Sequence, residues 1–205
     1  MLGNLNGSDL VIYIFALIIS MVIHEFMHGF VAFKLGDTTA QDEGRLSFNP
    51  LSHIDPFMTV ILPAFTLFYL GIPILAAKPV PFNPARLKYD DYGAALVAAA
   101  GPFSNLILAI VGALLIHLTH YGSFAATAIN DFVYLNVALF VFNLVPIPPL
   151  DGSRIVYAFA PESVRNIFEQ VEPYGFFIVF GLLFITHFTI LTSTINTVLS
   201  LLSQI

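Results

Sequence analysis

The stretch "LVIYIFALIISMVIHEFMHGFVAF", residues 10–33, is apolar along most of its length, but its second half carries two histidines and a glutamate. A helix that crosses a bilayer needs about 20 mainly apolar residues, so this stretch is long enough to span one. A charged side chain inside a span costs roughly 2.5 to 3.5 kcal/mol on insertion scales, and such residues usually serve a function. The stretch therefore predicts a membrane helix that carries a functional site.

The composition of the whole chain is that of an integral membrane protein. The 205 residues are 58% hydrophobic and 10% charged, with a mean hydropathy of +0.87, whereas a soluble domain carries about 25% charged residues. The net charge of −6 and the lack of a basic run argue against nucleic acid as a partner. No cysteine is present, which excludes a disulfide framework and a thiol nucleophile. We expect one all-α, multi-pass domain over residues 1–205, embedded in the lipid bilayer.

The positions of the basic residues select a topology. Apolar stretches lie at 9–33, 56–76, 92–118, 129–147 and 174–203. If 56–76 crossed the bilayer, the seven Lys and Arg would be split between its two sides. If it dips in and returns, all seven share one face, which the positive-inside rule makes cytoplasmic. Pro63, Gly71 and Pro73 favour such a broken segment. We therefore predict four full transmembrane helices plus a re-entrant segment at 56–76.

The pentapeptide "HEFMH", residues 24–28, has the spacing of a zinc site. His24 and His28 project from one helix face, one turn apart, and can bind a single Zn²⁺ at about 2.0 to 2.1 Å. Glu25 is then placed to act as general base on the metal-bound water. The alternative is a chance pentapeptide with no metal. Its position in a membrane span favours the functional interpretation.

A third ligand is expected, because a catalytic zinc takes three protein ligands and leaves one position for water. Asp151 in "FNLVPIPPLDGSRI", residues 142–155, is the best candidate, since it follows the end of an apolar span. Under the re-entrant topology this end and the second half of the first helix face the same side, so Asp151 can meet His24 and His28. The alternative is that Asp151 only caps a helix or forms a turn with Gly152.

These motifs together resemble the site-2 proteases, zinc metalloproteases that cut their substrates within the membrane. The resemblance covers nearly the whole chain and is greatest to the short bacterial and archaeal branch without a PDZ domain. It is carried by "HEFMH", "GPFSN" (101–105), "NLVPIPPLDG" (143–152), "NPLSHIDP" (49–56) and "KPVPFNP" (78–84). The chain departs from the family in "DPFMT", where Phe57 and Met58 replace an expected small residue.

The resemblance implies that His24, His28 and Asp151 are zinc ligands and that Glu25 is the catalytic base. It also implies transmembrane or membrane-anchored protein substrates and a location in a prokaryotic inner membrane, with the active site toward the cytoplasm. The sequence carries no sign of the oligomeric state.

Three further features are predicted near the site. Asn143 and His53 are candidates to stabilise the oxyanion. Asn143 can instead make an interhelical hydrogen bond, and His53 can be a solvated or backbone-bonded histidine. The alternating residues "GRLSF", 44–48, can form a short strand or β-hairpin at the rim of the cavity and bind an unwound substrate, or an ordinary loop. Asn105, near Gly101, is expected to support close helix packing.

Two other functions use the same metal-binding residues. A metal or ion carrier would need polar groups in several spans, yet apart from Asp131 near one end, the interiors of the later spans lack charges. A catalytically weak or inactive membrane scaffold would be expected to lack Glu25 or a ligand, and all four residues are present.

Overall fold

The quoted stretch lies within a single long helix, α1, which runs from Gly7 to Lys34. The helix ends where Gly36 adopts a left-handed conformation (φ 107°). There the N–H groups of Gly36 and Asp37 bond back to Phe33 O and Ala32 O, which is the Schellman pattern of a helix C-terminus. The structure is a computed structural model, and it describes residues 7–55, 61, 78–120, 122–186 and 188–205.

The described residues form eight α-helices and no strand, which confirms the predicted all-α class. The helices are α1 (Gly7–Lys34), α2 (Thr39–Asp42), α3 (Asp90–Ile116), α4 (Phe124–Asn143), α5 (Asp151–Phe159), α6 (Glu162–Val171), α7 (Gly175–Ile185) and α8 (Thr189–Leu202). Short 3-10 helices lie at Pro50–His53, Pro84–Arg86 and Glu172–Tyr174. By length and composition, four helical runs in this part of the chain can cross a membrane: Val11–Lys34, Asp90–Ile116, Phe124–Asn143 and Glu162–Ile185.

Helix α3 is the centre of the bundle and packs against α1, α4 and α5. Small residues allow the close approach, because a Cβ atom built at Gly112 of α3 would lie 2.6 Å from Val133 of α4. Apolar side chains of α3, α4 and α8 fill the adjoining core, among them Ala109, Val137 and Ile195. This packing fixes the rotation of α3 relative to α1 and thereby the residues that face the histidines.

Three polar side chains, all fully buried, join α1, α3 and α4 in the middle of the bundle. Asn105 Nδ2 donates to Asn136 Oδ1 at 2.9 Å, and Asn136 Nδ2 donates to Ser20 Oγ at 2.9 Å. Asn105 Nδ2 also reaches Ser20 O at 3.3 Å, and Ser20 Oγ donates to Ala16 O. Buried polar groups are costly unless they are hydrogen-bonded, so this network specifies how the three helices fit together.

The last apolar stretch, predicted as one span over 174–203, is broken into α7 and α8. Phe188 adopts a left-handed conformation (φ 59°), and its N–H bonds back five residues to Leu183 O, which ends α7. The Thr186 hydroxyl donates to Leu182 O at the same end. Hydropathy averaged over a window does not detect such a local stop, so 174–203 is not one continuous helix, and the fourth run that can cross a membrane is Glu162–Ile185.

The strand predicted over residues 44–48 is not formed, and these residues are turns and bends. The N–H groups of Arg45 and Leu46 bond to Ala40 O and so belong to the end of α2. The Arg45 guanidinium is turned inward, to the carbonyl groups of Ser52 and Lys78, rather than out along a strand edge. Arg45 is therefore a buried side chain rather than the outward-facing polar residue of a strand.

The stretch 56–76, predicted to be re-entrant, lies almost entirely outside the described residues. The residues that flank it are joined, because Lys78 N–H donates to His53 O at 2.9 Å. Lys88 N–H likewise donates to Leu35 O at 2.8 Å, which places the start of α3 beside the end of α1. The two helices therefore have these ends on one side of the bundle, as the predicted topology requires. The re-entrant form itself stays a prediction.

Asp37, which follows α1, ties this end of the bundle together. Its fully buried carboxylate accepts hydrogen bonds from Thr39 N–H at 3.1 Å, from Thr39 Oγ1 at 2.5 Å and from Asn83 N–H at 2.5 Å. Burial tends to raise the pKa of Asp37, but these hydrogen bonds and the nearby Arg86 outweigh burial and hold the pKa below its usual value. The charged carboxylate thus fastens residue 83 to the end of α1.

Candidate metal centre

Three donor atoms from two helices converge at the end of the bundle where α1 meets α5. His24 Nε2 and His28 Nε2 lie 3.0 Å apart, and Asp151 Oδ2 lies 3.2 Å from the first and 3.4 Å from the second. Among the described residues this is the one group of three or more His, Asp or Glu side chains with the spacing of a metal site. The structure therefore brings together all three residues that the sequence predicted as ligands.

The other nitrogen of each imidazole is held by an acceptor. His28 Nδ1 lies 2.7 Å from Val97 O, and His24 Nδ1 lies 2.6 Å from Asn105 Oδ1. A carbonyl oxygen only accepts, so each Nδ1 carries the proton and each Nε2 presents a lone pair. The amide of Asn105 is oriented in turn by its bond to Asn136. Such partners fix the tautomer and ring orientation of metal-binding histidines.

Two neutral imidazoles whose lone pairs face each other at 3.0 Å do not hydrogen-bond, so a proton or a metal ion between them would relieve their repulsion. Two ligand atoms of a tetrahedral zinc ion, each about 2.0 to 2.1 Å from the metal, lie about 3.3 to 3.4 Å apart. The three observed separations, 3.0, 3.2 and 3.4 Å, match that edge length. Two nitrogen donors and one carboxylate oxygen are also a donor set that zinc accepts in catalytic sites. The residues present therefore fit Zn²⁺.

Gly101 of α3 supplies the room for this cluster. A Cβ atom built at this position would lie 2.6 Å from His24 Nε2 and closer still to His28 Nε2. Pro102 follows inside the helix, where its ring removes the N–H that would bond to Ala98 O. The "GPFSN" motif thus provides both a gap for the imidazoles and, in Asn105, a partner for one of them.

Asp151 is placed by the tight loop between α4 and α5. It is the first residue of α5, whose N-cap is Leu150 with no side-chain cap bond. Gly152 allows this loop to pack closely, because a Cβ atom there would collide with Leu144 O. The Asp151 side chain is 20% exposed and points to the two histidines, which are 9% and 10% exposed. These contacts with the two histidines do not support the alternative in which Asp151 only caps a helix or forms a turn.

Glu25 lies next to the first histidine and is partly buried. Its Oε2 accepts a hydrogen bond from Val80 N–H at 2.9 Å. The donor belongs to residues 78–83, which have no regular secondary structure and pass beside α1 before the short 3-10 helix Pro84–Arg86. One carboxylate oxygen of Glu25 is therefore held in place by the main chain.

The two other predicted catalytic residues do not join the cluster. Asn143 Nδ2 donates to Leu139 O of its own helix at 2.9 Å, so this bond is not the interhelical bond considered as the alternative. His53 is 3% exposed, and its Nε2 lies 2.8 Å from Ser47 O. Within the described part of the chain neither side chain contacts the three donors. Their role toward an oxyanion stays a prediction.

Sequence reasoning missed three residues that matter here. Asn136 and Ser20 complete the network behind His24, and Asn105, expected only to support packing, contacts His24 directly. The available signal was that each is a lone polar residue inside an apolar span, where such residues are costly.

Comparisons with known proteins agree with this site. Residues 123–186 match the profile described as "Peptidase family M50". Three relatives carry names that begin "Putative zinc metalloprotease". YwhC of Bacillus subtilis is 42% identical over 182 residues, which cover 84% of this chain and 80% of the relative. Rip2 of Mycolicibacterium smegmatis is 31% identical over 176 residues, 81% of this chain and 64% of the relative.

The third relative, MJ0611 of Methanocaldococcus jannaschii, is 30% identical over 135 residues, 66% of this chain and 63% of the relative. No solved structure gives a significant match. The identity to YwhC extends over most of both chains and the profile match covers the segment that carries Asp151. The chain therefore belongs to peptidase family M50, the site-2 protease family of membrane metalloproteases.

Proposed function

We propose that this protein is a zinc-dependent endopeptidase that hydrolyses peptide bonds of transmembrane or membrane-anchored proteins, with Glu25 as its general base. The observation that carries the proposal is the set of separations among His24 Nε2, His28 Nε2 and Asp151 Oδ2, which match the edges of a zinc tetrahedron. Four apolar helical runs support a membrane location for the reaction.

Zinc bound by His24, His28 and Asp151 would act as a Lewis acid that polarises the scissile carbonyl and makes water a better nucleophile near neutral pH. Glu25 takes the proton of the attacking water and returns it to the leaving amide nitrogen. The main-chain bond from Val80 holds one oxygen of its carboxylate, and the other oxygen makes no hydrogen bond within the described residues. That second oxygen is the one we assign to proton transfer.

We further propose that the site opens toward the cytoplasm of a prokaryotic cell. The C-terminal end of α1 and the start of α3 lie at the same end of the bundle as the proposed metal ligands. The basic residues of these segments lie at this end too. Arg165, after α5, reaches the same end, where its Nη1 bonds to Asp91 Oδ2 at 2.5 Å. A basic end is the cytoplasmic one under the positive-inside rule.

The decisive test compares the wild type with Glu25→Gln in purified protein. We expect both proteins to retain zinc in elemental analysis, because Glu25 is not a ligand. Cleavage of a panel of single-span substrates, mapped by mass spectrometry, should fall about 100- to 10,000-fold in the variant. A chelator should abolish cleavage by the wild type. Glu43→Gln, the same change at an exposed position of this end, should cleave normally.

The other outcomes separate the rival functions. Cleavage that survives the chelator, or an unimpaired Glu25→Gln, would refute the proposed mechanism. A wild type that binds zinc but cleaves no member of a broad panel would indicate an inactive scaffold. Zinc uptake into vesicles that is equal in the wild type and in Glu25→Gln would indicate a carrier.

A further inference from the structure

Residues 78–83 offer few main-chain N–H donors beside Glu25. Pro79 and Pro81 have no N–H group, so Val80 provides the single main-chain donor between residues 78 and 82. That donor points at Glu25 Oε2, 2.9 Å away. Val80 is 6% exposed, and its side chain packs against Gly29, one turn along α1 from Glu25. The sequence "PVP" thus presents one N–H group to one carboxylate.

The opposite edge of the same peptide group is held by Arg45. Arg45 Nη2 donates to Pro79 O at 3.1 Å and to Lys78 O at 2.9 Å, and Nη1 donates to Ser52 O. Pro79 O and the Val80 N–H belong to a single planar peptide unit, in which the two groups point in opposite directions. One rigid plane therefore has a guanidinium on its oxygen edge and the Glu25 carboxylate on its nitrogen edge.

This arrangement has two physical effects on Glu25. The plane cannot rotate to take its N–H away from the carboxylate without also breaking the bonds of Arg45. A cation on the carbonyl oxygen polarises the amide and strengthens its N–H as a donor. Arg45 is itself 7% exposed and bound to three carbonyl groups, so it is a fixed anchor rather than a mobile surface side chain.

We propose that Arg45 is a positioning residue that orients Glu25 through the Pro79–Val80 peptide group. The inference rests on the proposed role of Glu25 as general base. Arg45 contacts neither the three donor atoms nor Glu25, so it acts on Glu25 through the main chain of residues 78–80. Removing Arg45 should therefore impair the proton transfers of Glu25 and leave the metal ligands in place. An error of about 1 Å in the position of a catalytic group can cost about 100-fold in rate.

Hydrogen exchange tests the link without any cleavage assay. Pro79 and Pro81 have no amide hydrogen, so Val80 carries the single exchanging main-chain amide of residues 79–81 in a proteolytic fragment. We expect this amide to be protected in the wild type. Arg45→Met should speed its exchange about 10-fold or more, as should Glu25→Ala, which removes the acceptor. Arg86→Met makes the same change at an exposed arginine of the same region and should leave Val80 protected. Unchanged exchange in Arg45→Met would overturn the proposal.

Kinetics test the consequence with a matched pair at Val80. Val80→Pro removes the N–H group, whereas Val80→Ala removes side-chain volume and keeps the N–H group. Residue 80 already precedes Pro81, which favours the extended backbone that proline also adopts. We expect kcat to fall about 10- to 100-fold in Val80→Pro and in Arg45→Met, with KM and zinc content unchanged. Val80→Pro should reduce kcat by at least about 10-fold more than Val80→Ala, which keeps the N–H group.

The outcomes distinguish this inference from the proposed function. Equal kcat values for Val80→Pro and Val80→Ala would overturn the inference, as would an effect confined to KM or to zinc content. If Arg45→Met does not fold, Arg45→Lys, which replaces the two Nη donors with one ammonium group, takes its place in both experiments with the same expected direction. If Glu25→Gln cleaves normally, the proposed function fails, while the exchange of the Val80 amide still tells whether Arg45 holds this peptide group.

Discussion

Asn105 orients one histidine of the candidate metal centre without belonging to the group of donors. Its Oδ1 accepts the Nδ1 proton of His24, and its Nδ2 is committed to Asn136 and to Ser20 O. The amide therefore cannot flip without losing bonds at both ends. The orientation of the His24 ring depends on three helices rather than on α1 alone.

Asn105→Ala should weaken zinc binding, because it leaves His24 Nδ1 without its acceptor and the ring free to turn. Loss of such a partner typically costs about 10- to 100-fold in metal affinity. Competition with a chromophoric chelator measures the change. The matched control is Asn143→Ala, since the one side-chain hydrogen bond of this asparagine within the described residues goes to Leu139 O of its own helix. Equal zinc affinities for the two variants would contradict the orienting role of Asn105.

At the scale of the elements, the region that follows α1 is held by side chains that bind main-chain groups. Asp37 fastens residue 83, Arg45 fastens residues 52 and 78–79, and Glu25 binds residue 80. These side-chain contacts thus hold residues 78–83 in position, although the segment belongs to no sheet. Their position depends on three charged side chains that lie within 21 positions of each other in the sequence.

Asp37→Asn should destabilise the protein in a pH-dependent way. The folded pKa of Asp37 lies below its unfolded value of about 3.9, so the charged carboxylate contributes stability above that value. The contribution is lost as the pH falls through the folded pKa. We expect the variant to be about 1 to 3 kcal/mol less stable at pH 7 and this difference to shrink below about pH 4.

Thermal unfolding in detergent across this pH range measures both proteins. Asp42→Asn is the control, because Asp42 accepts a hydrogen bond from Thr38 at an exposed site. Surface changes of this kind usually stay within about 0.5 kcal/mol. A stability difference for Asp37→Asn that does not vary with pH would contradict the assignment of the effect to the carboxylate charge.

At the scale of the whole molecule, the bundle has one end that carries the metal centre and basic residues and another end that carries neither in the described part of the chain. The loop between α3 and α4 lies at this second end, since α3 starts at the first. The chain contains no cysteine, so a single introduced cysteine reports its own location without background.

Gln41→Cys and His120→Cys place exposed cysteines at the two ends. In intact cells, a membrane-impermeant maleimide should label the cysteine at position 120, and the one at position 41 should be labelled only after permeabilisation. A shift in apparent mass on a gel reports the labelling at each of the two positions. Labelling at 41 from outside would place the metal centre on the opposite side of the membrane and would contradict the positive-inside argument.

Much of the site could be predicted because its signals are local or electrostatic. The spacing of His24 and His28 is a property of one helix, and the basic residues indicated which ends meet, which led to Asp151. The network of Ser20, Asn105 and Asn136 could not be predicted, because it depends on the rotation of each helix about its axis. The break at Phe188 depends on one backbone conformation, which the average hydropathy of the stretch does not register.

The alternation at residues 44–48 was misleading for a related reason. The observed burial is the reverse of a half-exposed strand, because the polar Arg45 is 7% exposed and the apolar Phe48 is 62% exposed. What distinguishes this arrangement from a strand is the presence of main-chain carbonyl groups from residues 52 and 78–79 around the guanidinium, and these come from later segments of the chain. Such a contact is visible only after folding.

The separation of the metal ligands along the chain has a consequence for biosynthesis. His24 and His28 enter the membrane with the first helix, whereas Asp151 follows only after α3 and α4 have been made. A nascent chain inserted from its N-terminus therefore holds two of its three donors through most of translation. The complete set of three donors therefore exists only after α3 and α4, which separate them in the sequence, have been made.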